Sequence, residues 1–178
     1  MLPLQLIALI GAATSASGAI FLPRIISAGA VLQREANVAI WGQADAGETI
    51  TVNFNGQSVD TTASSGGDWE LDLLPMIANA TAQDMTISGS SSATVVVADV
   101  RVGEVWFGSG QSNMQRALDR DLYYTGALAD LTANITNYDL HFFHVTKNGG
   151  NIDNTVWESI TEDSASSFSA IMYYFGRS

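Results

Sequence analysis

"VWFGSGQSNMQ", Val105 to Gln115, runs three bulky apolar residues into a glycine-rich bend and sets a serine between two amide side chains. The run "EVWF", Glu104 to Phe107, has the pattern of a short strand buried on both faces of a parallel sheet. Behind the serine, Met114, Leu118 and Leu122 recur at helical spacing. The stretch therefore predicts strand, sharp turn and helix, with Ser112 where the helix begins. Gly108 and Gly110 permit the bend, and the unpaired N–H groups of a helix start face any negative charge that develops there. Two roles are open for Ser112. Serine is a preferred helix cap, and it is a nucleophile once a base accepts its proton and donors meet the oxyanion. The spacing is not the G-x-S-x-G elbow, because Met114 stands where that pattern has glycine.

Downstream the alternation of elements continues. "YDLHFFHV", Tyr138 to Val145, predicts a second strand, and in "SSFSAIMYYFGRS" Phe168, Ile171, Met172 and Phe175 recur at helical spacing, with serines to cap the start and Gly176 to stop it. A right-handed βαβ crossover is the expected connection. Two strands and two helices bury too little to stand alone, so residues 102–178 read as an incomplete α/β domain.

Upstream the period is two. Ile50, Val52 and Phe54 alternate with polar residues, Asn55-Gly56 favours a tight hairpin, and Trp69, Leu71 and Leu73 alternate again. "ATVVVADVRV" is β-branched, and "SGSSSA" before it reads as a hairpin loop rather than a linker. Residues 19–101 therefore predict a β-sandwich, and the fold class is mixed α and β.

Composition narrows the function. The chain has 178 residues, 47% of them hydrophobic, with seven basic against eighteen acidic side chains and a net charge of −11. Nucleic acid is excluded as a partner, since phosphate neutralisation needs clustered Lys and Arg. Residues 1–18 carry no charged side chain and read as a secretory signal cleaved near Ser17 to Ala19, too short for a membrane anchor, so no membrane association is expected after its removal. Asn79 and Asn134 open N-x-[ST] sequons. With no cysteine and only His141 and His144 as imidazoles, neither a metal centre nor a cofactor is expected. The two histidines stand three apart on one strand and so face opposite ways, one packed and the other solvated or hydrogen-bonded.

"SGQSNM", Ser109 to Met114, resembles the nucleophile block of the sialic-acid-specific O-acetylesterase family, a branch of the SGNH hydrolases. "LPRIISAGAVLQRE", "VAIWGQADAGETITVNFNG", "GDWELDLLPM" and "FSAIMYYFGR" fall in that family's order. The resemblance implies a secreted or lysosomal esterase that removes O-acetyl groups from sugars, sialic acids above all, with a β-sandwich preceding a flavodoxin-like hydrolase domain. Ser112 matches the nucleophile and its N–H the first oxyanion donor, with Gly110, Gln111 and Asn113 forming the supporting turn. Arg116 and Arg120 can meet a sialate carboxylate, although Asp119 and Asp121 beside them favour an ion-paired, solvated helix surface. The family's Gly-Glu-Ser-Asn and Asp-x-x-His blocks, which carry two further oxyanion donors and the base, do not occur in these residues. The chain is therefore expected to lack the C-terminal part of the hydrolase domain and to be inactive alone. Two other readings share the sequence: a secreted β-sandwich that binds glycans through exposed aromatics such as Trp41 or Trp69, although Trp69 alternates with Leu71 and Leu73 and so reads as core, and an esterase for acetylated plant or microbial polysaccharide such as acetylxylan.

Overall fold

The computed structural model describes residues 18–120, 126, 129, 132–133, 139–145 and 155–176. The signal-like segment up to Ser17, Asp121, Leu122 and the Asn134 sequon lie outside the described residues.

Period-two patterning produces seven strands: β1 (Val31–Gln33), β2 (Val38–Gln43), β3 (Thr49–Phe54), β4 (Gln57–Thr62), β5 (Asp68–Leu73), β6 (Asn79–Gly89) and β7 (Val95–Gly103). They form a five-stranded sheet in the order β1-β7-β6-β3-β4 and a two-stranded sheet β2-β5. Ile50, Val52 and Phe54 from the larger sheet meet Ile40, Leu71, Leu73 and a buried Trp69 from the smaller in one continuous core. Burial alternates strictly along β5, as the sequence requires of a strand with one face inward. Trp69 is thus a core residue, as its alternation with Leu71 and Leu73 predicts, and it offers no face to a glycan. Between β3 and β4, Asn55 and Gly56 both adopt positive φ, 48° and 75°, the type I′ geometry that matches hairpin twist.

The "SGSSSA" loop joins β6 to β7, which pair antiparallel, and is held from inside by a carboxylate. Glu48, 4% exposed, accepts hydrogen bonds from Ser91 N (2.9 Å), Ser92 N (2.6 Å) and Ser92 Oγ (2.8 Å). Burial alone would raise its pKa, but the bonds from Ser91 and Ser92 favour the ionised form and bring it down to about 2.

The second half departs from expectation in four ways. Residues 104–107 form no strand, and Phe107 is 92% exposed with Trp106 beside it. A strand of the buried parallel kind needs neighbours on both sides, and none pairs with this segment among the described residues. The helix after the bend is a single turn, α1 (Ser112–Gln115), because Arg116 leaves helical geometry at φ −60°, ψ 115°. Its carbonyl accepts from Ala170 N (2.9 Å) and Leu118 N donates to Phe168 O (2.9 Å), bridging the chain to the C-terminal segment. The expected C-terminal helix forms only from Ala170, as α3 (Ala170–Gly176), and a separate short helix that the sequence did not announce, α2 (Glu162–Ser167), precedes the bridge. Ala170 and Tyr173 face inward on α3, whereas Ile171 and Phe175, expected in the core, are about half exposed. Finally, β8 (His141–Phe143) pairs antiparallel with β9 (Trp157–Ser159), a strand the sequence did not announce, in place of a parallel crossover.

These pieces share a small core of Leu118, Phe142, Ile160, Ala165, Ala170 and Tyr173. Phe168 stacks on Phe142, with centroids 4.0 Å apart. A reciprocal capping box between Thr161 and Ser164 starts α2.

Candidate active site

The Ser112 bend is positioned from three sides. At its entry, Gln33 on β1 accepts from Val105 N at 2.8 Å and donates to Glu104 at 3.1 Å, while Arg34 pairs with Glu104 at 2.7 Å. The bonds from Gln33 and Arg34 hold the Glu104 carboxyl below its usual pKa. In the middle, the backbone at Gly108 passes so close to Met172 of α3 that a Cβ there would strike the thioether chain. Behind it, Ser169 Oγ lies 3.5 Å from Met114 Sδ.

Ser112 is exposed and is the first residue of α1, with Gln111 as the N-cap. Of the two roles open to it, the capping role is therefore not the one it plays. Gln111 makes no side-chain cap bond, and Gln115 N bonds to Gln111 O at 3.0 Å. The N–H groups of Ser112, Asn113 and Met114 thus have no acceptor within the helix. Among the described residues no side chain bonds to the Ser112 hydroxyl. An exposed hydroxyl beside unused backbone donors is half of an acyl-transfer site.

The other half is a base, and neither histidine bonds to Ser112 among the described residues. The His141 side chain is 2% exposed, its Nδ1 lies 2.7 Å from Gly29 O, and its Nε2 lies 3.6 Å from Asp139 Oδ1. That fastens β8 to the loop before β1, and Trp157 Nε1 on β9 donates to Ile25 O of the same loop at 2.9 Å. His144 is exposed and meets the Phe168 ring edge-on, so one histidine is packed and the other solvated, as their spacing predicts.

Arg116 and Arg120 sit on no common helix face. Arg120 lies in a 3₁₀ turn, Leu118–Arg120, and Arg116 donates to its carbonyl. Neither pairs with a carboxylate among the described residues, Asp119 included, and Asp121, the other expected partner, lies outside them. Instead both line an open cleft with Ser112, joined by Arg24 and Arg101. This gathering of arginines is not visible in the sequence, because the four come from segments brought together only by the tertiary fold.

Asn79 begins β6 half-buried, and its Oδ1 accepts from Thr81 N at 3.0 Å. No group of three His, Asp or Glu able to hold a metal ion occurs among the described residues. No helix of theirs is long and apolar enough to cross a membrane.

No family model matches the chain. It is 34% identical over 112 residues to a sialate O-acetylesterase from Mus musculus, a match covering 58% of this chain and 21% of that protein. Its structure is similar to that of a carbohydrate acetylesterase from Xanthomonas citri, with a TM-score of 0.78 and 28% identity over 89% of this chain and 36% of the other. The chain thus spans about a fifth of the curated relative's length and about a third of the solved structure's. Both likenesses support a carbohydrate esterase family.

Proposed function

We propose that this chain carries the nucleophile side of an SGNH-type carbohydrate O-acetylesterase in which Ser112 attacks the acetyl carbonyl. The observation that carries the reading is the exposed Ser112 hydroxyl at a bend whose first N–H groups have no helical acceptor. Oγ adds to the carbonyl carbon, the proton passes to a base, and the carbonyl oxygen gathers negative charge opposite the N–H of Ser112. Collapse of the tetrahedral adduct releases the sugar hydroxyl and leaves an acetylated serine, which water then hydrolyses to acetate. The base and further oxyanion donors come from residues beyond those present here. They would complete a flavodoxin-like sheet over Trp106 and Phe107, and without them the chain is inactive.

The preferred substrate is an O-acetylated anionic sugar of the sialic acid class. Four of the chain's seven basic residues line the cleft, Arg24, Arg101, Arg116 and Arg120, against three of its eighteen acidic ones, Glu104, Asp119 and Asp139. Arg101 is already paired with Asp99 and Asp139, and Glu104 with Arg34, so Arg24, Arg116 and Arg120 face the cleft against Asp119 without a salt bridge among the described residues, in a chain of net charge −11. That local field supports a carboxylate-bearing substrate over neutral acetylxylan. A secreted or lysosomal location, with sequons at Asn79 and Asn134 available for glycosylation, is part of the same reading.

The test is acetate release from O-acetylated sialic acid and from acetylated xylan. The 178-residue chain should match its own Ser112→Ala variant. The longest product of the gene should release acetate, and lose that activity with Ser112→Ala. Ser112-dependent turnover by the short chain would refute its inactivity, and faster turnover of xylan would refute the substrate preference.

A further inference from the structure

We infer that Gln33 is a positioning residue: its side-chain amide extends the sandwich by one rung and holds the Ser112 bend where the hydroxyl can react. The inference rests on the esterase reading and gives the β-sandwich a part in that reaction.

Strand β1 is three residues long and pairs parallel with β7, the last register pair being Gln33 with Gly103. Arg34 N donates to Gly103 O at 2.9 Å, and the chain then turns away at Glu35, whose φ is 56°. The backbone ladder ends there, just where β7 passes into the segment that leads to Ser112. From this point the Gln33 amide takes over. A primary amide offers an acceptor oxygen and two N–H donors, the groups of a peptide unit with one hydrogen to spare. Its Oε1 accepts from Val105 N at 2.8 Å, and its Nε2 donates to Arg34 O and to Glu104 Oε2, each at 3.1 Å. Arg34 Nε donates to the other Glu104 oxygen at 2.7 Å, so both carboxylate oxygens are engaged.

Residues 104–110 are all exposed. Among the described residues none of their main-chain groups bonds to another main-chain group, and the bond between Val105 N and Gln33 is the one that a side chain makes to them. Helix α3 touches the segment through the Phe175 ring, edge-on to Trp106 with centroids 4.9 Å apart, and through Met172 against Gly108. Such apolar contacts can slide, whereas a hydrogen bond fixes the direction in which the peptide leaves β7. Without the Gln33 bond that direction is set by nothing in the sandwich, and the error is carried along the chain to Ser112. A misplacement of about 1 Å at a reacting group costs about 10²-fold in rate.

The experiment compares kcat and KM of the longest product of the gene with those of Gln33→Leu, Gln33→Glu and the double variant Gln33→Glu with Glu104→Gln, on O-acetylated sialic acid and on p-nitrophenyl acetate. Gln33→Leu should lower kcat about 10- to 10²-fold on both substrates and leave KM within about twofold, because the nucleophile moves and the substrate site does not. Gln33→Glu sets two carboxylates against each other and should fall as far. Adding Glu104→Gln again places a donor opposite an acceptor, and kcat should return to within about threefold of wild type, a rescue that a general loss of stability does not allow. In the 178-residue chain, amide exchange of residues 105–112 should quicken up to about tenfold with Gln33→Leu, while β3 to β6 keep their rates. Unchanged kcat and exchange in Gln33→Leu, or a double variant no faster than Gln33→Glu, would overturn the inference. Ser112→Ala, assayed beside them, separates the two failures. Full turnover by Ser112→Ala removes the esterase reading and this inference with it, whereas an inactive Ser112→Ala beside an unaffected Gln33→Leu removes this inference alone.

Discussion

Replacing Glu48 by glutamine tests how the loop between β6 and β7 is held. The carboxylate receives three short hydrogen bonds from Ser91 and Ser92, and Asp45 N approaches it at 3.3 Å. Glutamine keeps one acceptor oxygen but sets an NH₂ donor against backbone N–H groups that also donate. The lowering of the carboxyl from 4.5 to about 2 sets a ceiling of about 3 kcal/mol on the ionised form's contribution. Hydrogen bonds to charged groups contribute about 1.5–3 kcal/mol each and do not add, so about 2 kcal/mol is expected. In a chain of this size that lowers Tm by roughly 4–8 °C. Because the folded carboxyl titrates below the unfolded one, the contribution is complete above about pH 4.5 and is lost as pH falls towards 2. Thermal melts followed by circular dichroism at pH 7, 4.5, 3 and 2 should show the gap between wild type and Glu48→Gln closing across that window. Equal melting temperatures at pH 7, or a gap that persists at pH 2, would refute the reasoning.

Other outcomes follow from the second half of the chain. Phe142→Ala removes a core ring stacked on Phe168 and should cost about 3 kcal/mol, read as faster proteolysis of residues 139–176 with β1 to β7 left intact. Arg116→Gln with Arg120→Gln should raise KM for O-acetylated sialic acid about tenfold in the active product and leave p-nitrophenyl acetate hydrolysis unchanged. An equal loss on both substrates would place the arginines in the structure of the bend instead of in substrate recognition.

Much of the first half was legible because each strand has one face on a single core, and a single-sided strand writes its orientation into alternate residues. Ile50, Val52 and Phe54, or Trp69, Leu71 and Leu73, could hardly be read otherwise. Glu48 could not be read, since nothing local distinguishes a buried carboxylate from a solvated one before the "SGSSSA" loop is folded over it. In the second half, hydrophobicity reported which side chains favour burial, while the structure reports which ones have something to be buried against. Trp106, Phe107, Ile171 and Phe175 carry the pattern of a core, yet the first two are more than half exposed and the last two about half. The same gap cut short the predicted helix at Arg116, where a bridge to Phe168 and Ala170, far away in sequence, outweighs helical spacing. The Ser112 bend was legible from its glycines and amides, but Gln33 and the gathering of arginines depend on tertiary neighbours.

The most direct measurement is mass spectrometry of the longest product of the gene, quenched during turnover of an O-acetylated sugar. An acetyl group on Ser112 is predicted, together with a fall of about 10⁴-fold or more in turnover for Ser112→Ala. Acetylation of a different residue, or full turnover by Ser112→Ala, would contradict the account.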